Sequence, residues 1–415
     1  MQDRSASSGR DPRLDFFRGF ALLVIFVAHI PWNWYANFIW ARYGLSDAAD
    51  LFVFMSGYAA AIAFGGTFRR AGFLLGTVRI AHRCWQLYVA HLGVFFLIAT
   101  ICIAGNLLFA EPDYIAKLNL YPFFIHTREA LVGLFTLTYV PNYFDILPMY
   151  MVVLAMVPLA VALGRVHRWL PLAASALLWL ANWHLDLNLP AEIRGGAGGW
   201  FFNPFAWQLV FFTGFAIGFG WVRAPRPSTA LVAAGGLALA AALCVSRPEI
   251  YQGIGWLEAV RGWALRYGDK TAYGPLRYLH FLALVYLVVV ALKGREHLLL
   301  RPPPSLVRKC GQQSLAVFLF GSMTLAWICG MALDQLGRGF AVVTAVNALG
   351  LALMVAYAYA AAWLKSQPWR RRPEPRPQRR PAVAAPAWER TRPPAVGPFP
   401  IGGVPARERT EAGGD

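Results

Sequence analysis

Charge is scarce in this chain. Only 14% of its 415 residues are Asp, Glu, Lys or Arg, where a soluble domain carries about 25%. Acidic residues are scarcest, 21 against 38 Lys and Arg. A water-facing globular surface cannot easily be built from that stock. Cysteine is limited to five residues, Cys84, Cys102, Cys244, Cys310 and Cys329, each in or beside an apolar run. Their spacing offers neither a metal site nor a disulfide framework, so they read as small packing residues. There is no Walker sequence, zincin His pair or nucleophile elbow. No repeat recurs at a fixed period, and no paired half-helices of the transporter kind are evident.

What the chain has in abundance is apolar and aromatic mass. Hydrophobic residues make up 58%, with 16 Trp, 29 Phe and 16 Tyr. Stretches of about 20 apolar residues are long enough to cross a bilayer as helices. Ten candidates follow: 14–34, 48–65, 85–109, 147–164, 170–189, 204–222, 229–246, 277–292, 312–333 and 340–364. The first carries Asp15 and Arg18 and is followed by no small-residue cleavage site, so it reads as a retained helix. The expected fold class is all-α, a polytopic transmembrane bundle of about ten helices.

The formal net charge of +17 would suit nucleic acid, but the basic residues lie between apolar runs and in the tail. With the N-terminus inside, the segments 1–13, 65–84, 165–169, 223–228 and 293–311 hold sixteen Lys and Arg in 63 residues. The opposite segments 35–47, 110–146, 190–203, 247–276 and 334–339 hold nine in 100. The bias predicts both termini in the cytoplasm. Three parts result: an N-terminal segment 1–13, a membrane domain 14–364 and a tail 365–415. The tail holds eleven prolines and reads as disordered. Its Arg370–Arg372 run would either meet anionic lipid or fix topology.

The most informative stretch is RLDFFRGFALLVIFVAHIPWNWY. Arg18 and His29 are eleven residues apart, which is three helical turns plus about 20°, so they share a face about 16 Å apart along the axis. Asp15 lies one turn before Arg18. Ionisable groups within a membrane helix are costly and usually face a partner or a polar cavity. One reading makes His29 a base reached from outside and Arg18 a cation reached from inside. The plainer reading is an interfacial ion pair and a helix-packing hydrogen bond.

The inner segment RRAGFLLGTVRIAHRCWQLYVAH offers Arg79, His82 and Arg83, with His91 further along. Arg79 and Arg83, spaced i and i+4, share a face suited to the phosphates of a nucleotide-like donor. Asp47 and Asp50 suit the positive end of the second helix, and Ser56-Gly57 allows close helix approach. Asp145, Asn203, Arg277 and His280 stand near the same outer face and, with Asp47, Asp50 and His91, suggest a shared pocket. Outer-loop aromatics such as Trp32, Trp34 and Trp40 suit sugar rings or the ordinary interfacial belt. On these residues alone, an enzyme, a transporter of glycan or lipid, and a scaffold all stay open.

The blocks RDPRLDFFRGFALLVIFVAHIPWN, SDAADLFVFMSGY, FDILPMY, FNPFAWQL, LRYLHFLALVYL and CGQQSLAVFLFG, in this order across residues 10–365, together resemble the OpgC family. Those membrane proteins succinylate osmoregulated periplasmic glucans. The family is similar to the broader acyltransferase-3 group, marked by Arg or Lys, ten residues, then His, the spacing of Arg18 and His29. The resemblance implies an inner-membrane bacterial enzyme that takes a succinyl or similar acyl group from cytoplasmic acyl-CoA, with no bound cofactor or metal, and delivers it to a periplasmic glucan. It implies His29 as catalytic base with Arg18, and Arg79, His82 and Arg83 at the donor. The broader group often has Arg-x-x-Arg before its third helix, whereas Arg79 and Arg83 stand four apart. An O-acetyltransferase of another envelope polysaccharide is the alternative within enzymes. Arg277 with His280 is the pair that would meet a succinyl carboxylate.

Overall fold

The computed structural model describes residues 11–191 and 198–369, and these are helical apart from loops and one isolated bridge between Pro190 and Gly199. The principal helices are α1 (Pro12–His29), α2 (Ala48–Arg70), α3 (Gly72–Leu108), α4 (Ile146–Val166), α5 (Leu170–Leu185) and α6 (Pro204–Phe219). They continue with α7 (Thr229–Ser246), α8 (Pro275–Leu292), α9 (Pro304–Gln312), α10 (Ser314–Leu336) and α11 (Phe340–Ser366). Short helices over Tyr114–Lys117, Tyr121–Ile125, Thr127–Thr136 and Gly255–Tyr267 fill the longer connections.

Seven helices among the described residues are long and apolar enough to cross a membrane: α2, α3, α4, α7, α8, α10 and α11. The chain is thus an all-α, multi-pass membrane protein, with fewer full-length spans than the ten expected. The physical reasons are local. Helix α1 puts Arg13, Asp15 and Arg18 into 18 residues and stops at His29, because Pro31 holds Ile30 in extended backbone (ψ 113°). Helices α5 and α6 have 16 residues each, about 24 Å against a hydrocarbon layer of about 30 Å. The α6 helix is cut by Gly220 at φ +85°, the usual glycine terminator.

The segment 65–84, expected as a basic inner loop, is almost entirely helical. Helix α2 runs to Arg70, only Ala71 intervenes, and Gly72 at φ +86° turns the chain directly into α3. At 37 residues α3 is about 55 Å long, so Arg79, His82 and Arg83 sit on a continuous helix rather than on a loop. The tail after Trp369, including Arg370–Arg372, lies outside the described residues.

Two helix crossings set the core. Helix α2 meets α6 where Gly57 faces the carbonyl of Phe211 and Gly214 faces the carbonyl of Phe54. Helix α1 meets α9 where Gly19 faces the carbonyl of Val307 and Gly311 that of Asp15. A Cβ at any of these positions would collide with backbone, so the missing side chains bring the helices together, as small residues do in membranes. Side-chain amides add glue: Asn33 and Asn347 exchange two hydrogen bonds of 2.9 Å between the end of α1 and α11. Gln208 donates to the carbonyl of Ser175 at 2.8 Å, tying α6 to α5.

Helix α10 is not regular. Phe318–Leu325 forms a π-helix, in which Thr324 donates its hydroxyl to the carbonyl of Leu319 at 2.9 Å. Such wide turns occur often at functional sites. This one faces α1, with the Ser322 hydroxyl donating to the carbonyl of Leu22 at 3.2 Å.

Candidate active site

His29 is the last residue of α1 and half-buried. Its Nδ1 lies 2.8 Å from the carbonyl oxygen of Ser322 in the π-helix. A carbonyl only accepts, so Nδ1 carries the proton and, in the neutral ring, Nε2 is left with its lone pair. The imidazole also meets the Tyr143 ring edge-on at 5.0 Å between centroids. These contacts leave Nε2 as the ring nitrogen available for proton transfer.

His29 lines a cavity of about 930 Å³ together with Asp47, Tyr143, Asp145, Phe201, Phe202 and Lys270. The ends of α1 and starts of α2 and α4 converge there, so the cavity opens at one end of the bundle. Asp47 caps α2, with Ala49 N–H donating to its carboxylate at 2.8 Å, and Asp50 closes the capping box. Burial works to raise the Asp47 carboxyl, but Arg277 and Lys270 outweigh it and hold it below the ordinary carboxylate range. Lys270 Nζ is 2.7 Å from Asp47 and close to the rings of Phe201 and Phe202. The Lys270 backbone is anchored by buried Trp207, whose Nε1 donates to its carbonyl at 2.9 Å. Asp145, just before α4, accepts the Phe202 amide at 3.0 Å, and burial pushes its carboxyl up to about 6.

The remaining residues expected in this pocket lie elsewhere. Asp50 is fully buried and grips Arg277 through Nε at 3.0 Å and Nη2 at 2.5 Å. Arg277 also donates to the carbonyl of Leu45 at 2.9 Å and pairs with Asp47. It is buried and is not among the residues that line the cavity. His280 is committed to Ser46, 2.9 Å away. Asn203 caps α6 and donates to Asn182 at 3.0 Å. His91 is buried in the core, its ring 6.4 Å from that of Phe144, and among the described residues neither ring nitrogen has a hydrogen-bond partner. Asp15 is buried near the opposite end of α1, one turn from Arg18. Thus only Asp47 and Asp145 of those groups share the cavity with His29.

Arg18 lines a second, small chamber of about 30 Å³ with Ser56, Arg83, Tyr150, Ser314 and Phe318, and it donates to the hydroxyl of Ser314. Arg83, one of the three donor candidates, reaches this chamber. Arg79 instead turns to α2, where it donates to the carbonyl of Ala63 at 2.9 Å and to Thr67. The i, i+4 spacing is separated by about 40° on the helix, enough for different partners. His82 is exposed, 3.1 Å from Gln86. The two chambers share two lining residues, Ile146 and Phe318, and Phe318 stacks on Phe52 at 5.7 Å. Among the described residues no group of His, Cys, Asp and Glu is arranged to hold a metal.

Several participants were missed in the sequence: Tyr143, Lys270, Tyr150, Ser314, Phe318 and the Ser322 carbonyl. A tyrosine or lysine in a loop carries no periodic signal, and a backbone carbonyl carries none at all. The block CGQQSLAVFLFG did contain Ser314 and Phe318, but spacing alone did not single them out.

Residues 10–366 match the family described as OpgC protein. Neither a curated protein nor a solved structure matches the chain. The match spans most of the chain, so it belongs to the OpgC family, and this membership supports an acyltransferase-type role at the level of the family.

Proposed function

We propose that this OpgC-family chain transfers a succinyl or similar acyl group from cytoplasmic acyl-CoA to a hydroxyl of a periplasmic glucan. The observation that carries the reading is His29: its Nδ1 is tied to a π-helix carbonyl and it stands at the edge of a large cavity. The Lys and Arg bias in the loops supports an orientation with both termini in the cytoplasm; in the bacterial inner membrane of this reading, the cavity then opens to the periplasm. Its carboxylates and aromatic rings suit a sugar, whose hydroxyls donate to Asp47 and Asp145 and whose faces pack on Phe201 and Phe202.

In the reaction His29 Nε2 takes the proton of the acceptor hydroxyl as its oxygen attacks the thioester carbonyl. The O–C bond forms, the C–S bond breaks, and the departing thiolate takes the proton back from the imidazolium. General-base catalysis of this kind contributes about 10²–10⁴-fold. Arg18 and Arg83 hold the donor on the inner side as fixed cations, suited to phosphate or to a polarised carbonyl. Phe318 and Ile146 stand between the chambers, and the acyl group has to pass them to reach His29.

The test is the glucan itself. A deletion strain complemented with the parental protein is expected to carry glucans with the mass and acidity of a succinyl ester, and His29→Ala present at equal membrane level is expected to leave them neutral. Esters of acetyl mass would move the reading to an acetyltransferase. Unchanged glucans in every strain would remove it.

A further inference from the structure

The segment Pro141–Phe144 is a four-residue turn closed by the Phe144 amide donating to the Pro141 carbonyl at 3.1 Å. Its third residue, Tyr143, has φ +71°. That position and that sign of φ belong normally to glycine or asparagine, and a bulky side chain there is strained. Strain of this kind survives only where the surroundings impose it, and it gathers at functional sites. The chain is anchored on either side of the turn's tip. Phe144 is buried with its ring 5.4 Å from that of Phe95, and the Val140 amide donates to the Ala191 carbonyl at 3.1 Å.

The strained backbone delivers one thing: the Tyr143 ring, placed edge-on to His29 at 5.0 Å and 68°. This side chain is itself 47% exposed, so burial of its own surface is not what holds it there. Its hydroxyl makes no hydrogen bond within the described residues, so the contact to His29 is made by the ring.

We infer that Tyr143 is a positioning residue for His29. The Ser322 carbonyl holds Nδ1 from one side, and the Tyr143 ring blocks the swing of the imidazole into the cavity from the other. Without the ring, His29 pivots on a single hydrogen bond and Nε2 leaves the line to the acceptor hydroxyl. A misplacement of about 1 Å costs about 10²-fold in rate. The inference rests on the acyl-transfer reading of His29.

The experiment uses the full chain in lipid nanodiscs, with thiol release from succinyl-CoA measured in the presence of glucose oligosaccharides. Tyr143→Gly suits the backbone, so its unfolding temperature is expected to equal or exceed the parental one. Its kcat is expected to fall about 30- to 100-fold, with KM for succinyl-CoA unchanged, because the donor residues lie in the other chamber. Tyr143→Phe keeps the ring and is expected to stay within about threefold of parental kcat, a small loss beside the ~10²-fold cost of misplacement. A stable Tyr143→Gly protein with parental kcat would overturn the inference. So would Tyr143→Phe as slow as Tyr143→Gly, which would transfer the role to the hydroxyl. His29→Ala measured alongside separates the levels. If it keeps parental activity the acyl-transfer reading itself has failed, and if it is inactive while Tyr143→Gly is not, only the role of Tyr143 has.

Discussion

Removing the carboxylate of Asp50 is the sharpest probe of how this bundle supports its cavity. Asp50 has no exposure and Arg277 has 5%, and the two make a bidentate pair of 3.0 and 2.5 Å between α2 and α8. With the charge centres about 4 Å apart and an effective dielectric of about 20, their attraction is about 4 kcal/mol. Deleting one partner of such a buried pair costs about 3–5 kcal/mol, because the other charge stays desolvated. Here Asp47, at 2.9 Å from the same Arg277 nitrogen, takes up part of the loss, so the lower end, about 3 kcal/mol, is expected for Asp50→Ala. The check is unfolding in detergent followed by reactivity of the buried Cys102 and Cys310 thiols. Asp47→Ala, at a more exposed carboxylate, should cost less. The double variant Asp50→Ala/Arg277→Met should recover most of the loss, since neutral apolar pairs replace buried ion pairs at little cost. A silent Asp50→Ala, or a double variant as unstable as the sum of the singles, would refute the reasoning.

His29→Gln is expected to lose about 10²–10⁴-fold in acyl transfer without loss of membrane level, checked by turnover and immunoblot together. Phe318→Ala should cost about 3–5 kcal/mol as a large-to-small core change, and by joining the chambers it should raise hydrolysis of acyl-CoA without acceptor, read as thiol release. Gly214→Leu should prevent folding, since its side chain would strike the Phe54 backbone, and membrane abundance reports it. Asp145 predicts a pH effect. Its carboxyl is raised from 3.8 to about 6 by burial, so the folded chain holds that proton more tightly than the unfolded one. The resulting stability is present in full below about pH 4 and is lost as pH rises through about 6. Asp145→Asn keeps an acceptor for the Phe202 amide and should flatten that part of the profile of unfolding temperature against pH.

The class of the fold was legible because length of apolar run and scarcity of charge are one-dimensional properties. The same reasoning overcounted the full-length spans. The charges of α1, the proline after it and the Gly220 terminator shorten helices that average hydropathy still records as apolar. Arg79 and Arg83 were legible as basic and as i, i+4 neighbours, but not that α2 and α3 run on into each other, because the turn at Ala71–Gly72 depends on one glycine conformation. Asp50, Arg277, His280 and Asn203 were recognised as polar groups near one face. Which partners they meet, Arg277 for Asp50, Ser46 for His280 and Asn182 for Asn203, is decided by which helices touch.

By itself the sequence determined that this chain lives in a membrane as a helical bundle, and that Arg18 and His29 lie on one face of one helix. Helical periodicity and apolar length are local, and need nothing from the rest of the chain. Only the tertiary structure decided that His29 meets a carbonyl of a π-helix nearly three hundred residues later, that Arg83 rather than Arg79 joins Arg18, and that Lys270 and Tyr143 complete the cavity. Those choices rest on glycine-mediated helix crossings and buried ion pairs, which bring distant segments together by packing and leave no periodic mark on the chain.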